Sequence, residues 1–170
     1  MARIDVELAG GRNVLSFLDA IAVSELGKVM LAMPETDDGY KVCVGSTPGK
    51  LILMDNYDDH PRKRYRSADG NINSDAAGRY QIMGKWWPAY KSLMRLPDFG
   101  PESQDRVAIR LIKECSAFHL VQDGQIEAAI RACNSRWASF PGAGYPHQRE
   151  NSMLALRDAF LKAGGTVAKA

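Results

Sequence analysis

Several common chemistries are excluded by what the 170-residue sequence lacks. It holds three cysteines, Cys43, Cys115 and Cys133, an odd number, far apart and with no CxxC pair. That spacing argues against a disulfide framework and against a zinc site, and suits a chain folded under reducing conditions. The three histidines, His60, His119 and His147, show no ligand spacing and none is tied to a serine. No GxSxG is present, so Ser24 is not read as a hydrolase nucleophile. No GxxxxGK[ST] or dinucleotide-type glycine pattern occurs, and GSTPGK at 45–50 reads as a turn. Asp58, Asp59 and His60 stand in a row and do not share one face of a helix or strand. Neither a metal nor a cofactor is expected. No run approaches the roughly 18 apolar residues of a membrane span. The first residues carry Asp5 and Glu7 where a signal peptide needs an apolar stretch. Neither stable membrane insertion nor an export signal is therefore expected.

Charge of one sign is also scarce: 22 Lys and Arg against 20 Asp and Glu give a net charge of +2. This mild excess suits an anionic polymer and equally a neutral partner. With 45% hydrophobic and 25% charged residues, the chain has the composition of a globular protein. Its length fits one domain over 1–170 that buries about 70% of its unfolded surface. Gly10-Gly11 and Gly164-Gly165 bracket a core of about 13–165.

Asn13 can cap a helix running to about Gly27. Residues 40–45 and 51–54, joined through Pro48-Gly49, predict a small hairpin. Residues 56–75 are polar and turn-rich and predict a loop. Helices then follow: about 78–96 with a break or kink before Pro88, 101–116 opened by Pro101, 123–134 capped by Asp123, and 147–163 ended by Gly164. A short sheet among many helices makes an α+β fold.

Glu25 is the carboxyl of most interest. With each residue turning about 100°, Phe17, Leu18 and Ile21 fall within about 60° of Val14, and Glu25 falls about 20° from it. Asp19 lies on the opposite face. Burial at the end of an apolar stripe would raise the Glu25 pKa and keep it protonated near neutrality, which suits protonation of a leaving oxygen. A helix that frays at Ser24 would instead turn Glu25 to solvent, and spacing alone leaves both outcomes open.

Other segments offer binding groups. Tyr57 to Arg66 combines Arg62, Lys63, Arg64 and Arg66 with His60, Tyr57 and Tyr65, as a grip on anionic polymer or as a solvated loop. AAGRYQ at 76–81 offers Gly78 for close backbone approach and Gln81 for paired donor and acceptor contacts, with Arg79 and Tyr80 either beside it at a ligand or packed inside. Trp86 and Trp87 are read as mainly structural, and Trp137 as a core anchor. SFPGAGY at 139–145 is a Gly/Pro loop able to carry Tyr145.

Taken in order, LDAIAVSE (18–25), GYKVCVG (39–45), YDDHPRK (57–63), AAGRYQIMGKWWPAY (76–90), FGPESQDRVAIRLIKE (99–114), WASFPGAGY (137–145) and AFLKAGGTV (159–167) resemble the lambda-type phage endolysins, single-domain lytic transglycosylases. The resemblance covers about residues 14–167. It implies a lysozyme-like fold with a helical lobe, a small β lobe and a cleft between them. It implies that Glu25, in the Ser24-Glu25 pair, is the one catalytic glutamate. It would act as acid on the bond between N-acetylmuramic acid and N-acetylglucosamine, then as base on the muramic 6-hydroxyl, leaving a 1,6-anhydro end. Tyr57, Arg79, Tyr80, Gln81, Gly144 and Tyr145 become candidate glycan contacts. The partners implied are peptidoglycan glycan strands and a holin that releases the enzyme from the host cytoplasm to the wall, with the chain a monomer and no nucleic acid bound. One departure stands out: the family pattern continues Ser-Glu-Gly, whereas Leu26 here precedes Gly27. Two alternatives remain on sequence: a hydrolytic muramidase using a second carboxylate from Asp37, Asp38, Asp55 or Asp58, and a non-catalytic wall-binding or virion protein.

Overall fold

The computed structural model describes residues 1–168, and the last two positions of the expected 1–170 domain lie outside the described residues. The chain forms two compact units: Met1–Glu25 with Asp105–Ala170, and Leu26–Gln104. The described residues form seven α-helices and one two-stranded antiparallel sheet, the α+β arrangement expected from the sequence.

The first unit is helical. α1 (Val6–Ala9) is capped by Asp5, whose carboxylate accepts from Glu7 N and Leu8 N. α2 (Arg12–Leu31) buries Val14, Phe17, Leu18 and Ile21 completely, as the helical spacing of these residues requires. Asn13 does not cap it. The helix already includes Arg12, and the Asn13 side chain instead accepts from Thr166 N and donates to Gln122 O and Thr166 O. At Gly27 the backbone takes φ 75° and ψ 155°, a kink that only glycine adopts readily.

α4 (Pro101–Glu114) starts at its proline as expected. The helix expected over 123–134 is α6 (Ile126–Cys133), which begins after Gln125, and Asp123 does not cap it but closes a separate, unexpected helix, α5 (Phe118–Gln122). Gly124, at φ 73°, separates them. α7 (Met153–Lys162) starts six residues later than expected, with Ser152 Oγ accepting from Ala155 N at 3.2 Å. His147, at φ 60°, cannot be the helical first residue expected of it. In the core, the Phe17 and Phe140 rings meet edge to face at 6.2 Å, and Trp137 lies 5.5 Å from Phe140.

The second unit corrects two expectations. The expected hairpin is reduced to the isolated bridges Val42↔Leu53 and Thr47↔Lys50, because the 42–44 stretch is shared. Cys43 N donates to Ile52 O, while Val44 N donates to Ala76 O and Val42 O accepts from Gly78 N. The regular ladder lies in the segment expected to be a loop: β1 (Tyr65–Arg66) pairs with β2 (Asn73–Ser74). The helix expected from 78 begins only at Trp87, as α3 (Trp87–Met94). Residues 77–82 form a tight turn closed by an Ala77↔Ile82 bridge, with Gly78 at φ 80° and Gln81 at φ 50°. Pro88 then sits in the first turn of α3, where its missing N–H is harmless.

Candidate active site

Glu25 stays on α2, in the last turn before the Gly27 kink, so the helix does not fray ahead of it. The stripe of Phe17, Leu18 and Ile21 places it against the interior of the first unit, partly accessible. Burial pushes its carboxyl up to about 7 from the usual 4.5, against the pull of hydrogen bonds from the Ser139 hydroxyl and backbone. Ser139 Oγ donates to Glu25 Oε1 at 2.5 Å. Ser24 Oγ lies 2.7 Å from Ser139 Oγ. Asn151 Nδ2 donates to Ser24 O and to Ser24 Oγ, both at 3.1 Å, and Asn151 N donates to Ser139 O at 2.8 Å. Sequence reasoning reached Ser24 and the loop that starts at Ser139, but missed Asn151. These partners stand 114 and 127 residues away along the chain, and no local pattern signals them.

The Gly/Pro loop belongs to this first unit. Glu150 accepts from Gly144 N at 2.7 Å and Gly142 N at 2.8 Å, and those bonds hold its carboxyl below the usual range. Gly144 is exposed, and Tyr145 is 46% accessible with its hydroxyl donating to Ser135 O at 2.9 Å. Both therefore lie at the surface.

The remaining candidates lie in the second unit. Tyr57 is half-buried and its hydroxyl donates to Asp37 Oδ2 at 2.5 Å. Gln81 is half-buried, with its amide nitrogen donating to Gly78 O at 2.9 Å and Val42 O at 3.3 Å. Arg79 and Tyr80 are not glycan contacts: they are 2% and 1% accessible. The Arg79 guanidinium pairs with Asp38 Oδ1 at 2.7 Å, hydrogen-bonds Asp38 O and lies over the Tyr40 ring, while Tyr80 packs edge to face on Tyr40. Burial with an ion partner makes this pair an internal brace of the unit. The close approach permitted at Gly78 is to Gln104, not to a ligand: a Cβ there would stand 2.1 Å from Gln104 Oε1.

Trp87 is buried and donates to Asp59 Oδ1 at 2.6 Å. His60 is buried beside Phe99 with Nε2 at 2.9 Å from Ile82 O. In the basic segment, Arg62 pairs with Asp59 and Lys63 with Asp55 and Leu53 O, while Arg64 and Arg66 are exposed. Among the described residues, no group of three or more His, Cys, Asp or Glu could hold a metal ion, and no helix is long and apolar enough to cross a membrane.

Known proteins place the chain. A family model described as Endolysin matches residues 15–167. The endolysin of Escherichia phage P2 is 42% identical over 161 residues, 92% of this chain and 96% of that protein. The endolysin of Escherichia phage lambda is 42% identical over 152 residues, 89% and 91% of the two. The structure of bacteriophage lambda lysozyme complexed with a chitohexasaccharide aligns with a TM-score of 0.81 at 39% identity, over 98% of this chain and 99% of that one. A second lambda lysozyme structure aligns at 0.79 and 38% over the same shares. With a lysozyme-like α+β fold and a family match over nearly its whole length, the chain belongs to the endolysin family.

Proposed function

We propose that the chain, as one catalytic domain, cleaves the β-1,4 bond between N-acetylmuramic acid and N-acetylglucosamine in peptidoglycan by lytic transglycosylation. The observation that carries this reading is the partly accessible Glu25 carboxyl with its pKa pushed to about 7. Both its protonated and ionised forms are populated near neutral pH, which suits a group that must be acid and then base. Glu25 gives its proton to the glycosidic oxygen as the C1–O bond of the muramic residue breaks. The resulting carboxylate takes the proton of the muramic 6-hydroxyl, whose oxygen bonds to C1. The product is a 1,6-anhydro end, and no water is consumed. The sugar oligomer bound by lambda lysozyme supports a glycan as the ligand class.

Tyr57, Gln81, Gly144 and Tyr145 are the contacts proposed for the glycan. Of the four candidates for a second catalytic carboxylate, Asp37, Asp38 and Asp55 are bound to Tyr57, Arg79 and Lys63, which supports transglycosylation, while the exposed Asp58 is the candidate left for hydrolysis. In its biological setting the enzyme acts on the wall after a holin releases it from the host cytoplasm, as a monomer.

Mass spectrometry of muropeptides released from purified peptidoglycan, by the wild type and by Glu25→Gln, tests the reading. Release of 1,6-anhydromuramic products that is lost in the variant is the expected result. Reducing ends would replace it with hydrolysis, and no release by folded wild-type protein would leave a binding or structural role.

A further inference from the structure

The hydrogen bonds around Glu25 run in one direction, and that direction is set at Asn151. The Asn151 atom near Ser24 O and Ser139 O, at 3.1 and 3.3 Å, faces carbonyl oxygens that only accept, so it is the amide nitrogen. The same nitrogen donates to Ser24 Oγ at 3.1 Å. Ser24 therefore accepts from Asn151 and must send its own proton elsewhere. Ser139 O lies 3.4 Å from Ser24 Oγ but already accepts from Asn151 N at 2.8 Å and from Asn151 Nδ2 at 3.3 Å. The better acceptor is Ser139 Oγ at 2.7 Å. With that proton placed, the Ser139 hydroxyl donates its own to Glu25 Oε1 at 2.5 Å. The Ser139 backbone also hydrogen-bonds the Glu25 carboxyl, so both donor groups of this one residue serve the acid.

We propose that Asn151, Ser24 and Ser139 are positioning residues, a one-way donor chain that reserves Oε1 of Glu25 as an acceptor and so fixes the catalytic proton on Oε2. This rests on the assignment of Glu25 as the acid and base. A carboxylic acid that receives a hydrogen bond on one oxygen carries its proton on the other, so the chain selects which oxygen points an acidic hydrogen at the substrate. Once the proton has been given, the same Ser139 hydroxyl steadies the carboxylate that must act as base. Ser139 touches the Glu25 carboxyl, and Ser24 and Asn151 act through Ser139, so their contribution belongs to the chemical step. Ser139, which opens the Gly/Pro loop, and Asn151, just ahead of α7, both belong to the chain, which ties the segment between them to the acid.

The test compares wild type, Ser139→Ala, Ser139→Thr and Glu25→Gln on purified peptidoglycan across pH, with the Glu25 carboxyl followed by 13C NMR titration. In Ser139→Ala, kcat falls by about tenfold and KM stays within about twofold. The carboxyl titration and the alkaline limb of kcat/KM both move to higher pH, because a donor to the carboxylate is gone. Ser139→Thr, which keeps the hydroxyl, restores both. A site merely loosened by the substitution would admit water and move the titration the other way, toward the ordinary carboxylate range. That downward movement, or a titration and kcat unchanged from wild type, would overturn the proposal while leaving Glu25 as the acid. Undiminished cleavage by Glu25→Gln would overturn the parent assignment, and the proposal with it.

Discussion

Ser139 reaches back across 114 residues of chain to donate to Glu25 through a 2.5 Å hydrogen bond, so the carboxyl proposed to carry the chemistry and the loop beside it share one contact. Its bond lowers the carboxyl pKa while burial raises it further, and burial wins, leaving a value of about 7. The folded chain holds the Glu25 proton more tightly than the unfolded chain, in which the carboxyl titrates near its usual 4.5. Ionising Glu25 thus weakens folding progressively between those two values, with no cost below about 4.5 and the full cost above about 7. Glu25→Gln, neutral at every pH, is expected to match the wild-type melting temperature at pH 4. At pH 8 it should be more stable by roughly 1–3 kcal/mol, several degrees in Tm. Thermal melts of both proteins at the two pH values check this, and a gain of equal size at both would contradict it.

Arg79 is predicted to matter for folding and not for glycan affinity. Asp38→Asn removes the counter-charge of a guanidinium that is 2% accessible, and should cost about 2–4 kcal/mol by urea denaturation. Arg79→Lys, which keeps the charge but loses the planar fork, should also unfold earlier. Its surviving folded fraction should keep KM for peptidoglycan within about twofold. A selective rise in KM would restore Arg79 as a ligand contact.

Gly78→Ala should destabilise the second unit by about 2–4 kcal/mol. The residue sits at φ 80°, and the new methyl would stand 2.1 Å from Gln104 Oε1. Gln104 cannot step aside, because its amide nitrogen is bound to Tyr40 O and Phe99 O and its oxygen to Arg79 N. Equilibrium unfolding followed by tryptophan fluorescence measures the loss.

Glu150→Gln should loosen the Gly/Pro loop without unfolding the protein. The carboxylate accepts from Gly142 N and Gly144 N, and its lowered pKa means that this clamp is present at neutral pH and released as pH falls through the lowered value. Hydrogen exchange at the Gly142 and Gly144 amides is expected to speed up in the variant at pH 7, with Tm nearly unchanged. In the wild type it should speed up, relative to neighbouring exposed amides, only at acid pH.

The parts of this molecule with a local physical signature were legible in the sequence. The apolar spacing of Val14, Phe17, Leu18 and Ile21 gave α2, and Pro101 gave the start of α4. Boundaries set by distant partners were not. Asn13 has the chemistry of a helix cap but spends it on Thr166 and Gln122. The 78–86 stretch carries helix-compatible residues, yet the ladder contacts of Ala77 and Ile82 bend it into a turn. At the candidate site, helical spacing put Glu25 on the apolar face but left open a helix that frays before it, and only the family resemblance singled it out. Burial of Arg79 and Tyr80 could not be found, because the Asp38 and Tyr40 partners that bury them lie some forty residues earlier. Asn151 carries no sequence mark at all, since its role comes only from where its amide points.

The kink at Gly27 has an electrostatic consequence for the residue two positions before it. Peptide dipoles add along a helix and leave about half a negative charge at its C-terminal end. Had α2 run straight to Leu31, that end would lie more than a turn beyond Glu25. Because Gly27 leaves the helical conformation, the first segment of α2 stops at Leu26 and brings its negative pole to the Glu25 carboxyl. A negative pole disfavours a second negative charge, so the break in the backbone acts in the same direction as burial, toward a carboxyl that holds its proton.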